Sequence, residues 1–581
     1  MSTSTSYHEI RMASIRTARE SGVTVYPAGY PIMQASIFRS KYQHLENDTC
    51  DDESVQLAGR VVNKRDASKS LIFVDVRADE ATDVCFQILL SKKVYRLAGA
   101  AHAVADGGLV MHERMEWSDI RTGINRGDIV TVYGLPHRTK RGELSVQAHA
   151  FQRLAPCLYE IPRALEDRRL IDRDRYLHYI INPKARRATI CRARVLRQMR
   201  DFMDRNAFME LETPMLETGT GANAKPFTTR YHAMRTDVNL RVAPELNLKR
   251  AVVAGFGRVY EIGRQFRNEC DDHTHNPEFT TCEFYMPYAD LETLMTMTEQ
   301  MLTELGLPGT IGQRHGFPFD RVFIMPYLEE ILSSEGREVT LEPPYDTEEF
   351  RQRLIELTVD RGLALPSVNT TPKLLDNLIC ELIESQIRER PTFLIGHPMV
   401  MCPLAKPDPE HPHLASRFEL FVPWYTSAST ASASTDSPSN PADATGAESV
   451  PLDENGAADS STDGDAYRAR GDSTVLAPAY DTCMELCNAY IECNDPELQR
   501  QQFQAQKAHG EAGDEDIVQT DESFCRALEY GLPPTGGWGM GIDRLLMVLT
   551  GITNISDVMT FPLTRSGLER GESVQLVQPI S

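Results

Sequence analysis

The sequence predicts an α+β protein, with a β-rich region ahead of a larger part in which a mainly antiparallel sheet is flanked by helices. Three observations carry this. Residues 55–150 hold short apolar or alternating runs punctuated by glycines, the pattern of strands and turns. Beyond residue 185, helical and strand-like stretches mix without regular βαβ alternation, which disfavours a doubly wound sheet. The chain has 581 residues, 41% of them hydrophobic and 25% charged, enough for a sizeable core in about three or four domains.

The elements follow in order. Residues 1–50 read as an N-terminal helical arm. Runs at 55–62, 71–76, 84–89, 129–133 and 144–148 are broken by Gly59, Gly127, Gly134 and Gly142. Five such strands predict a small barrel of the oligonucleotide-binding type (OB-fold) over 55–155. A basic linker spans 156–184. The main domain takes 185–575. It opens with a helix at 185–208, where Ile190, Val195, Met199 and Phe202 recur at roughly helical spacing. Strands are expected at 259–269, 280–285 and 486–492, and helices at 290–305, 371–389 and 542–549. Within this domain, 424–480 is a low-complexity acidic insertion. Its 426–472 portion is built from Ser, Thr, Ala, Gly, Pro and Asp, with Tyr467 its one aromatic. Such a composition buries too little apolar surface to offset ordering and is expected to be disordered.

Charge sharpens the picture. Asp+Glu number 83 and Lys+Arg 61, a net −22, which taken alone argues against nucleic acid as a partner. Residues 426–472 carry nine acids and two bases, so −7 of that total sits in the insertion. Residues 160–200 carry twelve bases and five acids, a locally positive stretch open to a polyanion or simply a solvated helix face. No apolar run reaches the length of a membrane span. The N-terminus lacks an apolar signal core, and twelve cysteines are scattered without a CxxC pair. The expectation is a cytoplasmic protein with reduced thiols and no membrane association.

Several residue groups can do chemistry. In the β-rich region, Lys64, Arg65, Phe73, Gln87 and Glu143 combine base, aromatic, amide and acid, a set suited to stacking and edge-reading of exposed RNA bases. In RVYEIGRQFRNE, strand alternation would place Arg267 and Glu269 on one face, suited to a phosphate and a polar edge. A polar loop with His275 follows, then Phe279, available to stack on a purine, and a strand on which Glu283 and Tyr285 share a face. In MELCNAYIECND, Leu486, Asn488, Tyr490 and Glu492 share a face, and polar groups on such a face need partners. Glu485 has the opposite parity and joins them only at a strand end or a bulge. GLPPTGGWGMGIDR gives glycines for close backbone approach and Arg544 at a helix start. It does not fit GxxxxGK[ST], which excludes a P-loop.

Together these residues resemble the class II aminoacyl-tRNA synthetases, and among them the lysyl-tRNA synthetase family. FMDRNAFMELETPML (202–216) is similar to the first class II motif, FRNE with HNPEFTTCEFY (266–285) to the second, and GWGMGIDR (537–544) to the third. HPMVMCPLAK, FELFV and CNAYIECNDP are close to the lysine-specific signatures, and the likeness runs from about 10 to 565 outside the insertion. The resemblance implies an enzyme that activates lysine with ATP and transfers it to the terminal ribose of tRNA, with Mg²⁺ as cofactor. It assigns Arg267 and Arg544 to catalysis. It assigns ATP to Arg267, Asn268, Glu269, His275, Asn276, Phe279, Glu485, Leu486, Gly541, Ile542, Asp543 and Arg544. Lysine would meet Gly221, Glu245, Glu283, Tyr285, Asn488, Tyr490 and Glu492. Mg²⁺ would meet Glu419 and Glu485, and the anticodon Arg65, Phe73, Gln87 and Glu143. Family members are homodimers, so a homodimer is implied.

Thr220, Asn223, Asn247 and Cys493 depart from the family's usual residues without removing a named ligand. A sister aspartate or asparagine enzyme would need a cation for its substrate's carboxylate, where this chain has Glu283 and Glu492. A non-enzymatic RNA-binding paralogue should have lost Arg267, Glu269, Arg544 or the metal glutamates. A paralogue that lysylates a protein typically lacks the anticodon barrel.

Overall fold

A computed structural model of the chain describes residues 6–27, 32–78, 84–101, 114–218, 224–269, 272–305, 311, 316–333, 338–402, 404–424, 482–511 and 521–564. The expected insertion at 424–480, apart from Trp424, and Gly221 lie outside the described residues. The chain divides into two compact units, one up to Ile190 and one from Cys191.

In the first unit, Ser6 and Glu9 close a capping box that starts the helix Tyr7–Glu20, and a second helix runs Ala35–Tyr42. The strands are β1 (Thr49–Cys50), β2 (Val55–Ser68), β3 (Leu71–Arg77), β4 (Cys85–Ser91), β5 (Ile129–Arg138) and β6 (Leu144–Ala155). β5 pairs with β2, β2 with β3 and β3 with β4, all antiparallel; β4 pairs parallel with β6, and β6 pairs back onto β5. Alternate residues Ile72, Val74 and Val76 of β3, with Ile88, Val130, Val132 and Val146, are fully buried. All five expected strands form, most of them longer than their apolar runs. Gly134, read as punctuation, instead lies within β5 opposite a bulge of β6, where His149 is the extra residue between Ala148 and Ala150. A Cβ on Gly134 would lie 2.0 Å from the Gln147 carbonyl oxygen. The basic 156–184 stretch forms the helices Arg168–Arg173 and Arg175–Ile181, and Arg77 donates to the Ile180 carbonyl at 2.8 Å.

The second unit is built on β7 (Met209–Glu210), β11 (Val259–Phe266), β12 (Glu278–Pro287), β13 (Asp320–Phe323), β14 (Thr392–Ile395), β15 (Arg417–Trp424), β16 (Thr482–Ile491) and β17 (Thr535–Gly541). Their order is β13-β14-β15-β16-β17-β12-β11-β7, and only the two outermost pairings are parallel. A small sheet, β8 (Leu216–Glu217), β9 (Thr228–Tyr231) and β10 (Thr236–Leu240), stands apart. The sheet's core is apolar. Phe284 stacks on Trp538 at 4.8 Å, and Val195, Met199 and Phe202 of the helix Pro183–Arg205 join it with Leu545 and Leu546.

Three sequence expectations are corrected. β11 ends at Phe266, so Arg267 and Glu269 are not placed by strand alternation. The Arg267 N–H donates to the Pro277 carbonyl and the Asn268 N–H to the Lys225 carbonyl, so each backbone donor turns to a different segment. The helix from Thr371 stops at Leu382 and tightens into a 3₁₀ turn at Glu384–Gln386. β16 starts at Thr482, four residues earlier than its apolar run, because Trp424↔Thr482 already pair.

Candidate functional site

β11, β12, β16 and β17 are neighbours in the large sheet, and the face they share is hollowed into a cavity of about 360 Å³. Its lining includes Glu245, Arg267, Glu269, His275, Asn276, Phe279, Glu283, Tyr285, Glu485, Leu486, Asn488, Tyr490, Gly541, Asp543 and Arg544. Fifteen of the residues expected at ATP and lysine therefore meet in one place. Asn268, Ile542 and Glu492 do not line it, and neither does Glu419.

Glu485 reaches the cavity by a bulge. Leu420 pairs with Cys487 but Phe421 with Glu485, so Leu486 is the extra residue. The bulge reverses parity and puts Glu485 on the same side as Asn488, whose amide faces the Glu485 carboxylate at 3.4 Å.

One end of the cavity is acidic and buried. Glu245 opens the helix Glu245–Val253 and accepts from Tyr490 Oη and from Lys249 Nζ, both at 2.7 Å. Lys249 also pairs with Glu492, and both side chains are fully buried. Burial works against the Lys249 charge, yet the two carboxylates hold its pKa above the usual range. Glu492 Oε1 finds no hydrogen-bond donor among the described residues. It lies against the backbone of Gly537, where a Cβ would fall 1.8 Å away, so glycine alone permits that approach. Glu283 accepts from Thr281 Oγ1 at 3.1 Å. Burial, reinforced by the charge of Glu245, pushes its pKa up to about 8.

The other end is cationic. The Arg267 guanidinium lies 5.2 Å from the centre of the Phe279 ring, and its buried Nε has no partner among the described residues. Arg544 donates to Glu485 at 3.0 Å and to His275 Nε2 at 3.0 Å. His275 Nε2 is thus an acceptor, and its Nδ1 carries the hydrogen directed at Asp272, 3.0 Å away. Asp543 is an anchor: its carboxylate accepts the Thr280 N–H at 2.7 Å and pairs with Arg192. That fixes the start of the helix Ile542–Thr550, which carries Arg544.

Glu419 is partly buried outside the cavity lining, held by Arg417 and by His397 Nε2 at 3.1 Å. Burial alone would raise its pKa, but Arg417 and His397 keep it well below the usual range. Glu419 and Glu485 stand on paired strands, and each carboxylate retains lone pairs, a donor set that suits a hard divalent cation. Among the described residues no group of three His, Cys, Asp or Glu side chains is gathered as a metal cluster. No helix among them is long and apolar enough to cross a membrane.

Sequence reasoning missed Lys249, Asp272 and Arg417. Lys249 had a signal: Glu245 and Lys249 are four apart on a helix whose neighbours Leu246, Leu248 and Val252 are buried.

In the first unit, β2, β3 and β4 bring Arg65, Phe73 and Gln87 together. Arg65 pairs with Phe73 in register, its guanidinium 5.8 Å from the ring centre, and Gln87 lies across from Asp75. Glu143 is exposed just ahead of β6, whose Ser145 faces Gln87.

Residues 167–443 and 455–565 match the family described as tRNA synthetases class II (D, K and N). The chain is 34% identical to a lysine–tRNA ligase of Cladosporium cladosporioides, over 98% of this chain and 86% of the relative. It is 34% identical to a protein named probable lysine–tRNA ligase, cytoplasmic, of Encephalitozoon cuniculi, over 95% of this chain and 96% of the relative. A lysine–tRNA ligase of Thermotoga maritima is 31% identical over 96% of each chain.

Proposed function

The chain belongs to the class II tRNA synthetases of the D, K and N group, and from that premise we propose how its cavity serves lysine–tRNA ligation. The reaction activates lysine with ATP to lysyl-adenylate and pyrophosphate, then passes lysine to the 3′-terminal ribose of tRNA.

The observation that carries the assignment of the pocket is the acidic end. Glu245 and Glu283 line it, Glu492 lies buried behind it against Gly537, and Lys249 is the one basic side chain that pairs with any of the three among the described residues. The surplus of carboxylate asks for a ligand cation. An aliphatic ammonium reaching Glu283 and the unpartnered Glu492 Oε1 would supply it. Arg417 could serve a substrate carboxylate, as aspartate would need, but it is committed to Glu419. A site built around buried charges rejects an analogue that leaves them unpaired, by up to about 10⁴–10⁵-fold.

ATP occupies the cationic end. Arg267 and Arg544 hold the phosphates, with the adenine beside Phe279, Asn276 within hydrogen-bond reach of ATP and Glu269 accepting a hydrogen bond from it. The substrate carboxylate, positioned by Asn488, attacks the α-phosphorus in line, and the two arginines stabilise the charge that develops. No side chain is required as a covalent nucleophile. Mg²⁺, held by Glu485 with Glu419 beside it, would neutralise phosphate charge.

The first unit reads the anticodon as an OB-fold barrel, since its ladders return on themselves from β5 through β2, β3, β4 and β6 to β5. Phe73 offers a stacking platform, with Arg65, Gln87 and Glu143 at base edges. The enzyme acts in the cytoplasm as a homodimer. Met209 on the edge strand β7, with Met215 and Leu216, is about half exposed and offers a second copy an apolar surface.

Amino-acid-dependent ATP–pyrophosphate exchange across all twenty amino acids tests the pocket. Lysine alone should support it. Glu492→Gln should lower the rate with lysine by 10²-fold or more, since losing one partner of a desolvated charge pair costs about 2–5 kcal/mol. Equal exchange with aspartate, or unchanged lysine kinetics in the variant, would overturn the assignment.

A further inference from the structure

We infer that Asp75 is a positioning residue for base reading, one that fixes which way round the Gln87 amide is presented to RNA. The inference rests on the proposal that this face binds anticodon bases.

Asn63, Asp75, Gln87 and Ser145 form one lateral row across β2, β3, β4 and β6, each opposite the next in register. Every step of the row carries a hydrogen bond. Asn63 Nδ2 donates to Asp75 Oδ2 at 3.3 Å, Gln87 Nε2 donates to Asp75 Oδ1 at 3.2 Å, and Ser145 Oγ donates to Gln87 Oε1 at 3.1 Å. Arg65 Nη2 also reaches Asp75 Oδ1, at 3.5 Å. One carboxylate therefore gathers the arginine that lies over Phe73 and the amide beside it.

An ionised carboxylate can only accept. Asp75 therefore forces the Gln87 NH₂ to its own side and the carbonyl oxygen to the Ser145 side. Gln87 is nearly buried, at 8% exposure, so little of it remains to present. What remains is one N–H and one oxygen lone pair, in a fixed left-to-right order. A base stacked on Phe73 would meet that order with its own donors and acceptors. The reversed amide would prefer a base edge with donor and acceptor exchanged. In place of Asp75, an asparagine can donate as well as accept, so either amide orientation is satisfied and the distinction is lost.

The test measures aminoacylation kcat/KM for tRNA(Lys) transcripts with the native anticodon and with each single-base anticodon substitution. Variants are compared after normalising to lysine-dependent pyrophosphate exchange, which needs no tRNA. Asp75→Asn should compress the discrimination between native and substituted anticodons by tenfold or more, mainly through KM for the native transcript. Ser145→Ala removes a hydroxyl that can donate or accept and so imposes no order, and Asn63→Ala leaves Gln87 held; both should keep most of the discrimination. Gln87→Ala separates the two layers of the argument. If Gln87→Ala loses discrimination while Asp75→Asn keeps it, or if Asp75→Asn weakens all transcripts equally, the positioning role is wrong and the base-reading face stands. If Gln87→Ala also keeps full discrimination, the base-reading proposal itself falls.

Discussion

The two ends of the cavity hold their charges differently. At the acidic end, the proposed lysine end, the side chains of Glu492 and Lys249 are 0% exposed, and one internal cation pairs with Glu245 and Glu492. At the cationic end, the proposed phosphate end, the side chains of Arg544 and Glu485 are 22% and 31% exposed, and that of His275 is 53% exposed. Desolvated pairs are worth much more, in either direction, than pairs beside water. The lysine end should therefore be bound up with folding, and the phosphate end should be nearly separable from it.

Lys249→Met tests this contrast most sharply. It leaves Glu245 and Glu492 buried without their cation, and breaking such a pair costs about 3–5 kcal/mol. Denaturant unfolding should show that loss, with lysine in excess restoring part of it. Arg544→Met should cost under about 1 kcal/mol of stability, since its partners can turn to water. Its loss should appear in the exchange rate, at about 10²-fold, the usual effect of one missing donor to developing charge. If the two variants lose equal stability, the contrast fails.

Glu283 sharpens the comparison through pH. Its carboxyl is pushed up to about 8 by burial and by Glu245, against the lowering influence of Arg267 and Arg241. An ordinary glutamate titrates near 4.3. The folded state thus favours the neutral acid, so this group's contribution to stability is complete below about pH 4.3 and is lost as pH rises through about 8. On the proposed reading of the pocket, lysine has the opposite interest, because its ammonium would pair with the ionised form. The KM for lysine should fall about tenfold between pH 7 and pH 9 and then level. Glu283→Gln should flatten that profile. A flat profile in the wild-type enzyme would mean that Glu283 is ionised before lysine arrives.

Much of this was legible because motif residues sit on regular strands. Glu283 and Tyr285 alternate on β12 as read, and Thr281 joins them. The readings failed where strand regularity ended. Arg267 and Glu269 reach the cavity from a loop, whereas Glu485 reaches it by a bulge, one of the two routes its opposite parity had left open. Lys249 was missed for another reason. A lysine on a helix reads as solvated, and only the packing of Phe524 and Tyr490 around it, with ring centres 5.7 and 5.6 Å from Nζ, shows that it is not. Asp75 was passed over likewise, since one acid on a half-exposed strand carries no pattern.

The smallest expected effect concerns the long connection between β15 and β16. These paired strands carry Glu419 and Glu485, and their ladder runs out to Trp424↔Thr482. The geometry of both glutamates is therefore set by pairing inside the sheet, whatever length of chain joins the strand ends. Loop-closure cost grows slowly with length, so shortening the connection by some tens of residues changes stability by only about 1 kcal/mol. Deleting residues 427–472 should leave lysine-dependent exchange within about threefold of wild type, with the KM for ATP unchanged. A tenfold loss would show that the segment shapes the phosphate end, and that this end is less separable from the rest of the chain than its exposed ion pairs imply.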